Sequence, residues 1–268
     1  MRAVAAGLSD VGRTREHNED RFILLPEFNV YVVADGMGGH QSGEVASRMA
    51  ASAIASYFRC EGDRASSMNA GQRLREALVD ANKKIHSRAD DSRMHRGMGT
   101  TAVAGVYSPD ERMFFVAHAG DSRCYLVRGS AIRQLTRDHS LIAEALLERP
   151  DLSETDLGYL PKNVITRALG ISPTVDVDLC SERAVPNDVF LLCSDGLHGL
   201  VSDDDIATIV NKHSILTDAC AELVQRANEA GGRDNITVVL VRIEPDEAPW
   251  SRPSMIPQRD SGVGNPPE

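Results

Sequence analysis

The stretch that decides the fold is residues 30–40, which read Val-Tyr-Val-Val-Ala-Asp-Gly-Met-Gly-Gly-His. Its first five residues are continuously apolar, as expected for a strand that is covered on both faces. The apolar run ends at Asp35-Gly36, and Asp-Gly on its own is an ordinary turn sequence. The segment therefore predicts a buried strand with a carboxylate directly at its end.

The same arrangement recurs at three other places in the chain. An aspartate beside a glycine or an asparagine stands at one end of an apolar run at Gly120-Asp121, at Asp195-Gly196 and at Asp234-Asn235. Because strand ends in a packed sheet tend to lie along one edge, we expect the four carboxylates to share one pocket. Like charges this close destabilise a fold unless cations neutralise them.

The residue types around these carboxylates predict which cation binds. Oxygen ligands without neighbouring cysteines or paired histidines favour Mg²⁺ or Mn²⁺ over zinc or copper. Gly36 and Gly196 would let the backbone approach the metal, so that a carbonyl group could itself be a ligand. A shared aspartate could bridge two ions about 4 Å apart, and a water between them would become a nucleophile near neutral pH. Such a site is suited to the hydrolysis of phosphate esters.

Short β-type runs and helical segments share the rest of the chain. The strands are predicted at Arg21–Leu25, Val30–Ala34, Thr101–Val106, Met113–Ala117, Cys124–Val127, Val189–Cys193 and Ile236–Ile243. The helices are predicted at Glu44–Phe58, Gly71–Arg88, Ser202–Asn211 and Ile215–Asn228, with apolar stripes at Val45, Met49, Ala53 and Tyr57 and at Leu74, Leu78, Ala81 and Ile85 in the first pair. Strand groups separated by paired helices favour antiparallel sheets covered by helices. We therefore predict an α+β fold, an αββα sandwich in which two central antiparallel sheets are flanked by paired helices.

Composition narrows the function and the compartment. The 268 residues carry a formal net charge of −10, which argues against a non-specific nucleic-acid binder. The five cysteines are odd in number and widely spaced, which favours a reducing cytosol over a disulfide framework. No apolar run approaches the length of a secretory signal or a membrane span. We therefore expect a cytoplasmic protein without a membrane segment.

The composition changes after Ile243. Half of the twelve prolines follow this point, and a segment so rich in proline favours neither a helix nor a central strand. We predict a folded domain over residues 1–243 and a proline-rich, disordered tail over residues 244–268. The alternative for the tail is a docking segment around Trp250, the only tryptophan of the chain.

The motifs also match a known family in their order along the chain. They are Ser9-Asp10-Val11-Gly12, Arg15, Asn18-Glu19-Asp20, Val33–His40, Gly99-Thr100-Thr101, Ala117–Arg123, Asp138-His139-Ser140, Ile165–Gly170, Leu192–Leu197 and Arg233–Thr237. Together they resemble the metal-dependent PP2C-type (PPM) serine/threonine phosphatases of the bacterial branch, over residues 2–243. The resemblance implies two antiparallel sheets with helices outside and a binuclear Mn²⁺ or Mg²⁺ centre at one edge.

By motif position, the resemblance implies a role for each metal residue. Asp35 would bridge both metals, and Gly36 would lend its carbonyl oxygen to one of them. Asp195 and Asp234 would hold the other metal. The implied reaction is in-line attack on phosphorus by the water between the two metals, without a phosphoenzyme.

Further roles are implied for residues around the two metals. Asp20 matches the acid that orients a metal-bound water, and Asp121 matches the acid of a third, weaker metal site. Arg15 stands at the place of the arginine that clamps the phosphate, where a planar fork fits two oxygens. His40 is a candidate for donating a proton to the leaving oxygen, a task that a metal-bound water would serve equally well. Asn235 either orients a water ligand of the metal or simply forms the turn before its strand.

Other matching residues are expected to be structural. Thr100 and Thr101 open a strand, and His118 and His139 are expected to hold loops rather than metals. The chain departs from the family between residues 143 and 163, which correspond to the mobile flap over the active site. The substrate preference therefore stays open.

Three other functions compete with this hypothesis. Cys220 and Arg226 have the spacing of a cysteine-dependent phosphatase, but the residues between them follow a helical pattern that cannot form an anion nest. A metal-dependent nuclease would need a basic track, which the charge of −10 argues against. A catalytically inactive relative that binds phosphoproteins should have lost metal-binding acids, and all five candidate aspartates are present.

The family resemblance also implies the partners of the protein. The expected partners are phosphoproteins and a cognate serine/threonine kinase, and we expect a monomer.

Overall fold

The computed structural model describes residues 1–38, 42–60, 68–91, 95–161 and 164–246. These residues form two antiparallel sheets that pack face to face. The first sheet has, in spatial order, β1 (Arg2–Asp10), β11 (Ile236–Glu244), β10 (Val189–Cys193), β7 (Arg123–Arg128) and β8 (Ala131–Gln134). Its first and last strands along the chain are therefore neighbours, with Asp10 opposite Ile236.

The second sheet contains the buried apolar strand that begins at Val30 and carries Asp35. Its order is β2 (Asp20–Leu25), β3 (Val30–Met37), β5 (Ala102–Ser108), β6 (Met113–Ala119) and β9 (Asp178–Arg183), with the two-residue β4 (Gly99–Thr100) paired to the end of β3. Every strand pair in both sheets is antiparallel. The predicted pair of antiparallel sheets is confirmed.

Helices cover the outer face of each sheet. Helices α1 (Ser42–Cys60) and α2 (Ala70–Asp90) pack on the second sheet, while α5 (Asp195–His198), α6 (Asp203–Lys212) and α7 (Leu216–Glu229) pack on the first. Between β8 and β9 the chain forms the short helices α3 (Leu141–Glu148) and α4 (Glu154–Gly158), where the flap was predicted. The αββα layering is thereby confirmed.

Three layers of apolar side chains hold the sandwich together. The middle layer lies between the sheets and is rich in aromatic residues. In it the Phe114 ring of the second sheet stacks on the Phe190 ring of the first, with ring centroids 3.9 Å apart. Offset or stacked aromatic pairs add to the free energy of area burial. This layer fixes the two sheets against each other, and with them the carboxylates at their edges.

Hydrogen bonds from side chains define where the helices begin. The Ser202 hydroxyl accepts from the backbone N–H of Asp205 and so caps the start of α6. Asn69 and Gln72 form a reciprocal capping box at the start of α2. The predicted stripe of α2 is fully buried, from Leu74 to Ile85.

The stripe predicted for α1 lies at the edge of the face that packs on the core, with Ala53 buried and Val45, Met49 and Tyr57 partly buried against it. The fully buried residues are Ala46, Ala50 and Ile54, whereas Val45 and Met49 are only partly buried. The reason is that α1 packs against the sheet and against α2 at once, so small alanines occupy the closest approach. The larger side chains of Val45 and Met49 lie beside this closest approach and are partly buried there.

The structure also contains elements that the sequence did not predict. These are β1, β4, β8, β9 and the helices α3, α4 and α5. In the described part of the chain, no helix combines the length and the hydrophobicity that crossing a membrane requires. Most of the predicted tail, residues 247–268, lies outside the described residues.

Candidate metal centre

Asp35 and Gly36 lie inside β3, not in a turn after it, so the strand predicted to end at Ala34 continues to Met37. Asp35 stands opposite Asp20 of β2, and Gly36 stands opposite Thr100 of β4. Thr100 and the next residue, Thr101, both hold the backbone of Asp35. The Thr100 hydroxyl and the Thr101 N–H each donate to the Asp35 carbonyl oxygen at 2.8 Å. The expected structural role of these threonines thus serves the site directly, because it fixes the Asp35 backbone.

Two further carboxylates come from the first sheet. Asp195 lies two residues after the end of β10 and begins α5, and Asp234 lies two residues before the start of β11. The Ser194 hydroxyl connects the two sheets, since it donates to Asp20 Oδ2 at 2.8 Å and accepts from the Thr237 N–H at 3.0 Å. The edges of both sheets therefore meet at one point, as the sequence predicted.

The electrostatics confirm that these carboxylates are close together. Burial raises the pKa of Asp35 well above its usual range, and the charges of Asp20, Asp195, Asp121 and Asp234 raise it further. Burial also raises the pKa of Asp20 to about 7, although hydrogen bonds from Thr237 and Ser194 oppose this. Burial is again the main cause that raises the pKa of Asp121 to about 7. All five predicted aspartates thus act on a single buried point.

The donor atoms at this point fit a divalent cation. Asp20 Oδ1 and Asp195 Oδ1 are buried and have no hydrogen-bond partner among the described residues. Buried carboxylate oxygens without partners are costly unless a cation or water meets them. The aspartates that surround Asp35 offer only oxygen, which suits Mg²⁺ or Mn²⁺.

Gly36 is needed because the backbone is crowded there. A Cβ atom at this position would lie 2.1 Å from the Gly43 carbonyl oxygen at the start of α1 and 2.7 Å from the Glu19 carbonyl oxygen. No side chain fits in that gap. The missing side chain at Gly36 therefore lets the start of α1 pack directly against β3.

Arg15 lies on the loop between β1 and β2, residues 11–19. Its Nη2 atom donates to Asp234 Oδ2 at 2.7 Å, and its side chain is half exposed. Asn235 holds this loop in place. Its Nδ2 atom donates to the carbonyl oxygens of Val11 and His17 at 3.0 and 2.9 Å, and its Oδ1 atom accepts from the Glu19 N–H at 2.8 Å. The structure therefore places the hydrogen bonds of the Asn235 side chain on the loop that carries Arg15.

A cavity of about 530 Å³ opens beside the carboxylates. It is lined by Asp121, Asp195 and Asp234 together with residues to which the sequence assigned no role, namely Arg123, Asp138, Ile142, His198, Leu200 and Arg233. Arg123 forms a bidentate ion pair with Asp138, in which Nε and Nη2 donate at 2.9 and 2.7 Å. The His198 Nε2 atom hydrogen-bonds the Asp121 carbonyl oxygen at 3.1 Å, so α5 is fastened to the loop of Asp121.

Sequence signals existed for only some of these additional residues. Ser194 and Asp138 stand in the quoted Ser-Asp-Gly and Asp-His-Ser motifs, where a contact to the site could have been inferred. His198 carries no such signal, because its place depends on how α5 is oriented, and Arg233 opens the Arg233–Thr237 motif but was given no role there. His40 lies outside the described residues.

His118 and His139 form a second cluster, with Asp178, in which one ligand atom from each residue lies within 4.8 Å of the others. The two imidazole rings are stacked, with centroids 4.7 Å apart. The His139 Nδ1 atom accepts from the Gly120 N–H, which leaves its proton on Nε2, facing Asp178. A protonated Nε2 is not a metal ligand, so this geometry agrees with the expected loop-holding role.

Cys220 cannot serve as a nucleophile in this fold. It is buried within α7, and burial raises the pKa of its thiol to about 12. Arg226 faces Asp205 at 3.7 Å. The cysteine-dependent alternative is therefore not supported by the structure.

An αββα sandwich with an all-oxygen carboxylate centre at its edge defines a metal-dependent phosphatase. A family model described as "Protein phosphatase 2C" matches residues 5–149. The chain belongs to the protein phosphatase 2C family and is a serine/threonine protein phosphatase.

Curated relatives and solved structures agree with this assignment. The chain is 37% identical over 237 residues to the serine/threonine phosphatase stp of Listeria monocytogenes, covering 87% of this chain and 93% of that protein. It is 35% identical over 245 residues to the protein phosphatase PhpP of Streptococcus pneumoniae, covering 90% and 98%.

Among solved structures, the serine/threonine phosphatase PstP/Ppp of Mycobacterium tuberculosis is similar with a TM-score of 0.81 at 30% identity, covering 91% of this chain and all of that one. A catalytic domain of PstP in complex with two manganese ions is similar with a TM-score of 0.79 at 30% identity, covering 91% and 99%.

Proposed function

We propose that this phosphatase hydrolyses phosphoserine and phosphothreonine esters of proteins with two divalent cations, Mn²⁺ or Mg²⁺, and that a third ion binds more weakly. The observation that carries the proposal is the convergence of five aspartates on one buried point, where Asp20 Oδ1 and Asp195 Oδ1 lack partners. The two manganese ions in the similar PstP structure support the number and kind of metals.

Each metal residue receives the role that the family resemblance implies. Asp35 would bridge the two ions, and Gly36 would lend its carbonyl oxygen to one of them. Asp195 and Asp234 would hold the other ion, and Asp121 would belong to the third site. When bound, the ions supply an activated water as nucleophile and neutralise charge on the phosphoryl oxygens.

The chain's own residues bind the phosphate and handle protons. Arg15 is placed beside Asp234, where its planar guanidinium can clamp two phosphate oxygens. Asp20 Oδ1, buried and without a partner, is the atom to which we assign the orientation of a water and the holding of a proton. We keep His40 as the candidate donor to the leaving oxygen, with a water as the alternative.

Hydrolysis assays with and without metal test this function. Purified protein is assayed on a phosphothreonine peptide and on p-nitrophenyl phosphate with Mn²⁺, with Mg²⁺ and with EDTA. We expect activity only with metal, and its loss in Asp35→Ala. The matched control is Asp80→Ala, which removes an exposed carboxylate on α2 that pairs with Lys84.

The outcomes separate the alternatives. Activity that survives both EDTA and Asp35→Ala would refute the metal mechanism. A folded, metal-binding protein without activity on either substrate would favour the inactive phosphoprotein-binding relative instead.

The substrates of a protein phosphatase are phosphoproteins. We further propose that a serine/threonine kinase supplies them, that the protein works as a monomer, and that it works in the cytoplasm, where its five cysteines stay free. Light scattering after size-exclusion chromatography tests the monomer, and co-expression with candidate kinases tests the partner.

A further inference from the structure

One cationic side chain that lines the catalytic cavity, Arg233, has no partner in the described part of the protein. Arg123 is bound to Asp138 and to the Tyr125 hydroxyl, and His198 is bound to the Asp121 carbonyl oxygen. Arg233 also lines the cavity and is exposed, yet it forms no hydrogen bond or ion pair with any other described residue. Its guanidinium is therefore available to a ligand at the cavity.

The backbone that carries Arg233 is firmly held. Gly231 and Gly232 have φ angles of +123° and +50°, which strongly favour glycine. The Gly232 N–H donates to the Ala227 carbonyl oxygen at 3.0 Å, and its carbonyl oxygen accepts from the Arg13 N–H at 2.7 Å. Because the following residue is Asp234, the base of the Arg233 side chain lies at a fixed position relative to the metal centre.

The surrounding charges determine what Arg233 can bind. Of the carboxylates of the same cavity, Asp138 is bound to Arg123 and Asp234 to Arg15. The charges of Asp121 and Asp195 act on the buried Asp35. The flap contributes Ile142, and the segment after α5 contributes Leu200, both apolar. Arg13, on the loop that packs on the glycine turn, adds a second exposed cation on this side, and Glu16 is an exposed acid of that loop.

An unpaired guanidinium fork matches a carboxylate or a phosphate group by two parallel hydrogen bonds. A substrate whose phosphorylated residue enters the carboxylate centre must lay its neighbouring residues along the cavity. A neighbouring anionic group then meets Arg233 at little cost, since no internal pair has to be broken.

We propose that Arg233 is a specificity-determining residue that favours phosphopeptides with an anionic side chain beside the phosphorylated residue. The anionic group is an aspartate, a glutamate or a second phosphorylated residue. The inference rests on the proposed phosphatase function, whose site it deepens.

The test compares peptides that differ only beside the phosphothreonine, with aspartate, phosphoserine, alanine or lysine there. In the wild type with Mn²⁺, kcat/KM is expected to be highest for the anionic peptides. Arg233→Ala should reduce the ratio of the aspartate to the alanine peptide about fivefold, the size of a well-formed exposed ion pair. Arg233→Glu should reverse the order in favour of the lysine peptide. The matched control is Arg183→Ala, an exposed arginine at the far end of β9.

The two anion sources are distinguished by the phosphoserine and aspartate arms. A preference for phosphoserine alone assigns the site to a second phosphate, whereas a preference for both assigns it to anions in general. High salt, at about 1 M, should reduce either preference because charges at an open cavity are screened.

Two results would overturn the proposal. One is an equal loss on all peptides and on p-nitrophenyl phosphate, which would place Arg233 on the scissile phosphate. The other is no change in the peptide ratios in either variant. Binding of fluorescent peptides with a non-hydrolysable phosphonate, followed by anisotropy, gives the same comparison without turnover. An inactive protein that still binds anionic peptides through Arg233 would refute the proposed function and leave this surface standing.

Discussion

At the scale of single residues, Gly36 shows how closely the backbone is packed at the metal centre. Its Cα faces the carbonyl group of Gly43 across a gap that leaves no room for a methyl group. Gly43 in turn faces the Glu19 carboxyl group, where an added Cβ would lie at 2.8 Å. The start of α1 is therefore pressed against β3 at the residue that we propose as a carbonyl ligand.

This crowding makes Gly36→Ala a sensitive test of the site. We expect the variant to lose about 1–3 kcal/mol of unfolding free energy because the start of α1 must shift. We also expect weaker Mn²⁺ binding, measured by calorimetric titration, because the carbonyl group moves with the strand. Gly158→Ala is the control, since nothing lies within 4 Å of a Cβ there. Wild-type Mn²⁺ affinity in Gly36→Ala would contradict the assignment of this carbonyl.

At the scale of elements, the loop of residues 11–19 depends on one side chain from another part of the chain. Asn235 is buried, and all three of its side-chain hydrogen bonds go to the backbone of this loop, at Val11, His17 and Glu19. Arg15 also contacts Asp234 directly, but no other described side chain makes as many hydrogen bonds to the backbone of this loop as Asn235 does. The position of the proposed phosphate clamp thus follows from Asn235.

Asn235→Ala should therefore affect stability and catalysis together. We expect a loss of about 2–3 kcal/mol in urea unfolding, because buried backbone groups lose their partners. We also expect a higher KM for p-nitrophenyl phosphate, because Arg15 is no longer held. Asn211→Ala is the control, as it removes a single exposed bond to Gly129 and should cost less than about 1 kcal/mol. A stable variant with unchanged KM would show that the loop does not need this anchor.

The elements differ in how well the sequence predicts them, and the reason is physical. Strand β10 was predicted at its observed bounds because Val189–Cys193 is buried on both faces and continuously apolar. Strands β1 and β9 were missed because they alternate exposed and partly buried positions and contain small or polar residues. Helix α3 has eight residues, of which six are apolar, so no separate apolar stripe marks it as a helix, and none of them is buried.

The residues of the metal centre also differ in how well the sequence predicts them. Four of the aspartates were predictable because carboxylates at strand ends have a local signature, Asp20 was implied by the family resemblance, and the structure brings all five together. The contacts of Ser194, His198 and Arg233 depend on which distant segments of the chain meet, and of these residues only Ser194 and Arg233 stand in a motif of the sequence. The family resemblance implied a phosphate clamp at Arg15, but the contact of Arg15 with Asp234 depends on the pairing of β1 with β11.

At the scale of the whole molecule, the carboxylate cluster makes stability depend on pH and metal. Burial raises the pKa of Asp20 and of Asp121 to about 7, while the reference value for aspartate is 3.8. Between these values the folded state binds more protons than the unfolded state. The stability of the metal-free protein therefore falls as the pH rises through this window.

Thermal unfolding in EDTA tests this dependence. We expect this cluster to lower Tm between about pH 5 and about pH 8, and Mg²⁺ or Mn²⁺ to raise Tm more at the higher pH, because the cations neutralise the ionised cluster. Asp20→Asn should flatten the pH dependence of metal-free Tm, whereas Asp218→Asn, at an exposed position of α7, should not. Equal metal stabilisation at both pH values would contradict the proposed link.

The pairing of β1 with β11 also bears on how the enzyme comes into being during synthesis. Contacts such as that between Glu19 and Asn235 join residues 216 positions apart, so they form only after nearly the whole domain has left the ribosome. A nascent or prematurely terminated chain has Asp20 and Asp35 but neither Asp234 nor the last strand of the first sheet. Unfinished copies therefore lack a residue that we propose as a metal ligand, and we expect them to have no phosphatase activity until the last strand is in place.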